Sequence, residues 1–374
     1  MERALHRGDR RWKPIIHGSG NAWRLTRWGL PLVAIDLLDQ ASIARAIDGC
    51  THVVNCSRGD DQVMIKGLSN LLAVCAEQKV QGFVHLSSVM VYGDPPVPDS
   101  VTEDGETRPA KETYGWTKLK QDQIVQRYAR AGLPAIILCP PNITGPYSPY
   151  LVALVEEIRA ETFLALDGGS AVINIVDCEN LCHAIELAVD RCTQDAPRLF
   201  VTDDEPTTWR ELVEPMARLA ERETPVPAVT ADELRAHARS KPLERATVGR
   251  TLRHLVSSDV RAVLRQDPLL AKAHDAVRKG IAGLGTNVEN SLRWSLEGAR
   301  PVTPYEQAKR SPGRLCLQQL RGVRHACDRA KQHLGYKPPH SVAASTRAFE
   351  NWYRTGTGMD TEAWPLLREL FRVH

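Results

Sequence analysis

No stretch of the sequence approaches the roughly 18 uninterrupted apolar residues that a membrane span needs. The start, MERALHRGDRRWKP, carries charge but no apolar core of an export signal, so a cytoplasmic protein is expected. A disulfide framework is also missing. The nine cysteines are odd in number and scattered at 50, 56, 75, 139, 178, 182, 192, 316 and 327, which suits buried thiols in a reducing compartment. Cys178, Cys182 and His183 have no second ligand pair, so they read as core positions and no metal is expected. There is no internal repeat and no low-complexity segment. With 374 residues, 43% apolar and 25% charged, the chain can bury a full core, and its length allows one large domain or two of ordinary size.

Charge is unevenly spread. The net +3 combines a +9 block, with 19 Lys/Arg against 10 Asp/Glu between Ala231 and Ala330, and a remainder of −6. Within that block ERATVGRTLRHLVSSDVRAVLRQ places Val248, Leu252, Leu255, Val256, Val260, Val263 and Leu264 on one helical face, with Arg250, Arg253, Arg261 and Arg265 elsewhere. A cap helix over a substrate site explains this pattern. Peripheral contact with anionic lipid or a lipid-linked sugar is the functional alternative. Nucleic acid is not an expected partner, because the block has no recognisable reader motif and few interleaved aromatics.

The first half of the chain alternates two kinds of segment. LPLVAIDL, THVVNC, GFVHLSS and PAIILCPP are apolar runs typical of strands buried on both faces of a parallel sheet. ASIARAIDGC, MIKGLSNLLAVCAEQ and TYGWTKLKQDQIVQRYARAG have helical spacing. This rhythm predicts an α/β, doubly wound parallel sheet, in which ligands bind at the carboxyl ends of the strands. Tyr114 and Lys118, four apart on one predicted helix, share a face. A cation beside a phenol favours its ionised form and brings it towards the range of a general acid/base. Ser88 ends a strand upstream, where its hydroxyl would reach the same edge and hold a substrate oxygen.

At these residues the sequence resembles the extended short-chain dehydrogenase/reductases, and among them the NAD-dependent epimerase/dehydratase proteins. AIDLLDQASIARAIDGCTHVVNC is similar to the family's third strand, helix and fourth strand, HLSSVMVYGD to its serine strand end, and ETYGWTKLK to its Tyr/Lys helix. LCPPNITGPYSPY, INIVDCENLCHAIELAV and DRAKQHLGYKPPHSVAASTRAFENWYR resemble later segments. The resemblance covers residues 12–225 and 322–354. It implies Ser88, Tyr114 and Lys118 as the catalytic set. It also implies Asp36, Leu37, Tyr114, Lys118 and Pro141 as contacts of NAD or NADP, and Ser88 and Asn142 as contacts of the substrate. A nucleotide-linked sugar is the implied substrate and a homodimer a candidate assembly. The implied fold is a Rossmann-like cofactor domain over 1–147, rejoined by 171–203, with a smaller, mostly helical substrate domain over 148–170 and 204–374 that contains the basic insertion at 225–321.

Several positions depart from the family pattern. Met64, Cys139, Thr144 and Glu179 stand where Asn, Arg, Tyr and Asp are common, and Val89-Met90 stands where sugar 4,6-dehydratases carry Asp-Glu. Two side chains unable to move a proton disfavour dehydration, which leaves epimerisation or carbinol/ketone redox. The family's first strand and glycine loop have no counterpart. ERALHRGDRRWKPIIHG aligns with the end of the first helix and the second strand, so a start assigned too far downstream, and weak cofactor binding by the chain as it stands, are expected. Gly18-Ser19-Gly20-Asn21-Ala22-Trp23 is not a substitute phosphate loop, because Trp23 cannot replace the glycine at a close helix-strand contact. His17 stands where NAD-preferring relatives place an acid, leaving NAD and NADP unseparated. Alternative readings are a 3β-hydroxysteroid dehydrogenase-like enzyme with an apolar pocket and a cofactor-free binding protein on the same fold.

Overall fold

The computed structural model describes residues 1–17, 25, 32–240, 313 and 315–357. Gly18 to Trp23 and most of the basic insertion, residues 241–312, lie outside the described residues. The first half runs α1 (Glu2–His6), β1 (Ile15–Ile16), β2 (Val33–Ala34), α2 (Gln40–Ile47), β3 (His52–Asn55), α3 (Leu68–Glu77), β4 (Gly82–Leu86), α4 (Tyr114–Arg130) and β5 (Ala135–Cys139). After it come β6 (Asn142–Thr144), α5 (Pro149–Arg159), β7 (Ala165–Leu166), β8 (Val172–Ile173), β9 (Ile175–Asp177), α6 (Cys178–Val189) and β10 (Arg198–Phe200). The last described elements are β11 (Thr207–Thr208), α7 (Trp209–Leu219), β12 (Ala228–Val229), α8 (Ala231–Ser240), α9 (Asp328–Leu334) and α10 (Val342–Thr357).

Four strands form a parallel sheet in the order β10-β5-β4-β3, with Val53 opposite Phe83 and Val84 opposite Ile136. Continuous apolar strands imply burial on both faces, and alternation sends neighbours to opposite sides. Phe83 and Ile137 join Ile43, Leu72 and Val125 in the core under α2, α3 and α4. Val84 and Ile136 join Val176, Leu181 and Ala330 in the core under α6 and α9. The predicted α/β sheet with helices on both faces is therefore present. β1 and β2 pair in parallel as a separate two-stranded sheet, and among the described residues no strand joins β1 to β3. α1 buries Ala4 and Leu5 and is tied to α6 by Arg3, which donates to Glu179 and Glu186, and by Arg7, which donates to Glu186.

A third core packs α5, α7 and α10 together through Leu151, Leu154, Ile158, Trp209, Met216 and Phe349. Helix starts here follow from capping. Ser148 Oγ accepts from Leu151 N with Pro149 in the first turn, and Thr208 with Glu211 forms a reciprocal capping box. β6 pairs with β9 and β8 with β11. The carboxyl end of β5 and the start of α7 thereby come to one cavity.

Candidate functional site

The cavity holds about 530 Å3 and lies between the carboxyl edge of the parallel sheet and the third core. Ser88, Tyr114, Pro141 and Asn142 line it, together with Arg58, Tyr150, Trp209, Gln318, Arg321 and His325. Four of the seven sequence-predicted positions are thus brought together. Lys118 stands behind the wall, buried to 4% exposure. Asp36 and Leu37 are apart from this cavity: Asp36 Oδ1 accepts from Leu38 N at 2.8 Å, and Leu37 O accepts from Asn70 Nδ2 at 3.0 Å.

Ser88 follows β4 and caps a 3-10 turn, Val89–Tyr92, accepting from Met90 N at 3.3 Å. Its backbone is still extended, and the turn that begins after it ends the extended run and leaves the residue at the cavity. α4 starts at Tyr114, with Thr113 Oγ1 accepting from Trp116 N. Gly115 allows α4 and the turn after Ser88 to meet, because a methyl group built on it would lie 2.2 Å from Met90 O. The serine and the phenol share one wall through that backbone contact.

Lys118 Nζ donates to Leu86 O at 2.8 Å and lies 5.8 Å from the centre of the Tyr114 ring. Burial lowers its pKa to about 8, against the opposing pull of Asp122, Cys56 and Cys139. Asp122, one further turn along α4, is fully buried and accepts from Arg198 Nε at 2.7 Å. Its Oδ1 lies 3.9 Å from His85 Nε2, and Asn55 Nδ2 is 3.2 Å from His85 Nδ1. Burial and the charge of Lys118 hold His85 well below its usual pKa, so the imidazole is neutral. A buried chain of polar groups therefore backs the lysine.

The phenol differs from expectation. Tyr114 is 41% exposed, yet burial of its polar end pushes its pKa up, and the cation that pulls it down is Arg58, whose guanidinium sits 5.5 Å from the ring centre. Helical spacing put Lys118 on the correct face, but its ammonium is turned to the Leu86 carbonyl. The hydroxyl is a proton donor, suited to a carbonyl oxygen developing negative charge. Arg58 carried no local signal, since it lies in the loop after β3. Tyr150, Trp209, Gln318 and Arg321 were missed too, because they arrive from α5, α7 and the segment before α9. Val89 and Met90 also line the cavity and offer no group that moves a proton.

The sequence pattern of the NAD dependent epimerase/dehydratase family matches residues 3–201. A ketoreductase of Stigmatella aurantiaca, acting on 4-hydroxy-2-methyl-3-oxo-4-farnesyl-3,4-dihydroquinoline-1-oxide, is 25% identical over 173 residues. That match takes in 46% of this chain and spans about half, 48%, of the relative. Among solved structures, a nucleoside-diphosphate-sugar epimerase from Pseudomonas aeruginosa superposes with a TM-score of 0.58 at 15% identity, covering 92% of this chain and 90% of that one. The UDP-glucuronic acid 4-epimerase of Bacillus cereus, solved with NAD, gives 0.56 at 13% identity over 91% and 89%. The UDP-glucose 4-epimerase of Thermotoga maritima, solved with UDP-glucose, gives 0.56 at 14% identity over 87% and 85%. These structural likenesses concern the fold.

Proposed function

The chain belongs to the NAD-dependent epimerase/dehydratase family, and from that premise we propose that it is an NAD(P)-dependent oxidoreductase or epimerase acting on a secondary carbinol or its ketone. The observation that carries this reading is the shared wall of Ser88 and Tyr114, closed by the Gly115 to Met90 contact, with Lys118 buried one helical turn behind. Ser88 Oγ holds the substrate oxygen. Tyr114 gives its proton to that oxygen on reduction and takes it back on oxidation. Arg58, 5.5 Å from the ring centre, and Lys118, 5.8 Å from it, supply positive charge near the phenol and favour the phenolate that reduction leaves.

The residues fit the ribose-nicotinamide half of the cofactor. Lys118 holds a desolvated ammonium one helical turn behind Tyr114, and Tyr114 and Pro141 line the cavity. Asp36 and Leu37 remain the candidates for the adenine end. The chemistry that a dinucleotide would supply there is hydride transfer to or from the carbinol carbon. No described residue offers a backbone cradle for its pyrophosphate. Val89 and Met90 offer no proton-transfer group at the positions where sugar 4,6-dehydratases carry Asp-Glu, so dehydration is not part of the reading.

A nucleotide-linked sugar is the substrate class supported by the neighbours solved with UDP or UDP-glucose. Ketoreduction of a ring compound is the second reading, favoured by the pairing of Arg321, which donates to both carboxylate oxygens of Asp94 at 2.8 and 3.0 Å. The test is NAD(P)H absorbance during incubation with quinoline-type ketones, and NMR detection of the epimer formed from UDP-glucose, whose epimerisation leaves no net change in cofactor, for the wild type and Tyr114→Phe. Turnover that Tyr114→Phe abolishes supports the proposal, and turnover indifferent to the substitution refutes it.

A further inference from the structure

We infer that the cavity wall made by Tyr150 and Trp209 is a recognition subsite for a neutral, planar ring that presents an acceptor atom to the two side chains. The inference rests on the redox reading only in placing the reacting end of the substrate at Ser88 and Tyr114. Tyr150 Oη and Trp209 Nε1 are buried and have no hydrogen-bond partner among the described residues, and both side chains line the cavity. The other unpartnered buried atoms lie elsewhere. Those of His85, Ser87 and Asp122 belong to the polar groups around Lys118, Gln121 Oε1 is on a side chain that donates to Met64 O, and Asp203 Oδ2 is beside α6.

Buried polar atoms are ordinarily satisfied, and leaving one unpaired is unfavourable. Two of them at one cavity point to a ligand that completes them. An indole N–H only donates. Burial pushes the Tyr150 pKa far up, so its hydroxyl keeps its proton and can donate as well. The complementary group is therefore an acceptor oxygen or ring nitrogen. Pro149, Val172, Ile173 and Leu317 supply apolar lining, and the two aromatic rings, 6.5 Å apart between centres, pack on each other as one wall.

Charge argues for a neutral ligand here. Arg321 is balanced by both oxygens of Asp94, and Arg58 stands across the cavity beside Tyr114. The remaining polar lining is engaged: Asn142 donates to Gln318, and Asn174 donates to Val323 O and accepts from His325 N. A diphosphate would find no unpaired cation among the described residues at this wall. A ring carbonyl or N-oxide would find two donors. The same chemistry is offered by the base of a nucleotide-linked substrate and by a free heteroaromatic substrate.

Calorimetric titration of the full chain, without cofactor, separates these sources. The probes are uridine, uridine 5′-diphosphate and 4-hydroxyquinoline N-oxide, each with the wild type, Tyr150→Phe and Trp209→Phe. At least one neutral probe is expected to bind, with each substitution weakening it about 5- to 10-fold. The diphosphate should add little to the affinity of uridine. A response confined to uridine identifies the nucleotide end of a substrate, and one confined to the quinoline oxide identifies a free ring; both support the subsite. Tyr150→Phe should also raise the Tm of the ligand-free protein by about 2 °C, because it removes an unpaired buried hydroxyl. The inference fails if no neutral probe binds, if the substitutions leave affinity unchanged, or if Tyr150→Phe lowers Tm, which would reveal an internal partner. Since no cofactor or turnover enters the assay, failure of the redox reading is detected separately by Tyr114→Phe.

Discussion

On the sheet side of the cavity, Asp122, Arg198, His85 and Asn55 form a chain of polar groups, each within or just beyond hydrogen-bond distance of a neighbour, and the charge of Asp122 acts on the buried Lys118. On the helical side, Tyr150 is partly and Trp209 fully buried, and Tyr150 Oη and Trp209 Nε1 have no hydrogen-bond partner among the described residues. Internal neighbours on the first side hold a lysine in place. The second side is shaped as apolar core, with two donors left over for a ligand. On the proposed reading, the difference separates a part that performs chemistry, whose charges must be set beforehand, from a part that selects what is transformed.

The sharpest way to break this comparison is Tyr114→Phe, which should lower kcat by about 100-fold or more while leaving ring-probe affinity at the other wall unchanged. Steady-state kinetics beside the calorimetric titration checks both halves. Gly115→Ala comes next. Its methyl group would meet Met90 O at 2.2 Å, so α4 must shift relative to Ser88, and a loss of about 10-fold in kcat with little change in probe binding is expected.

Much of the sheet side was legible because its information is local. Four-residue spacing put Tyr114 and Lys118 on one face, and an apolar run ending in two serines located Ser88. The direction of the phenol's pKa shift was not legible, because spacing reveals neighbours but neither burial nor where an ammonium turns. The recognition wall was invisible for a different reason. Tyr150, Ile173, Trp209 and Gln318 meet through the packing of α5, α7 and the β8-β11 pair, and each alone reads as an ordinary core or surface position. The strands LPLVAIDL and KPIIH were expected to be longer than β1 and β2, whose described pairing covers only two residues each.

Smaller effects sharpen the comparison through pH. Lys118 titrates near 8, below its ordinary 10.5, so a step needing the ammonium is lost as pH rises through about 8. Asp122 opposes that depression, and Asp122→Asn should move the alkaline limb of the kcat/KM profile to lower pH by about one unit, with Asp122→Glu retaining most of it. An unmoved limb would mean that the buried chain does not set the lysine. The smallest effect belongs to Asp203, whose carboxyl burial raises to about 7 from 3.8. The folded state then binds more protons than the unfolded chain, so this group's contribution to stability declines from about pH 4 to about pH 7. Melting curves of Asp203→Asn across that window should lack this decline, and an unchanged slope would assign it elsewhere.

The central claim is that the sheet wall, and not the helical wall, holds the nicotinamide end of a dinucleotide. Fluorescence titration of NADH into the wild type, Lys118→Ala and Tyr150→Phe tests it most directly. Weak but measurable binding is predicted for the wild type, about 10-fold weaker for Lys118→Ala and unchanged for Tyr150→Phe. Absence of binding in the wild type, or equal affinity in the wild type and Lys118→Ala, would contradict the account.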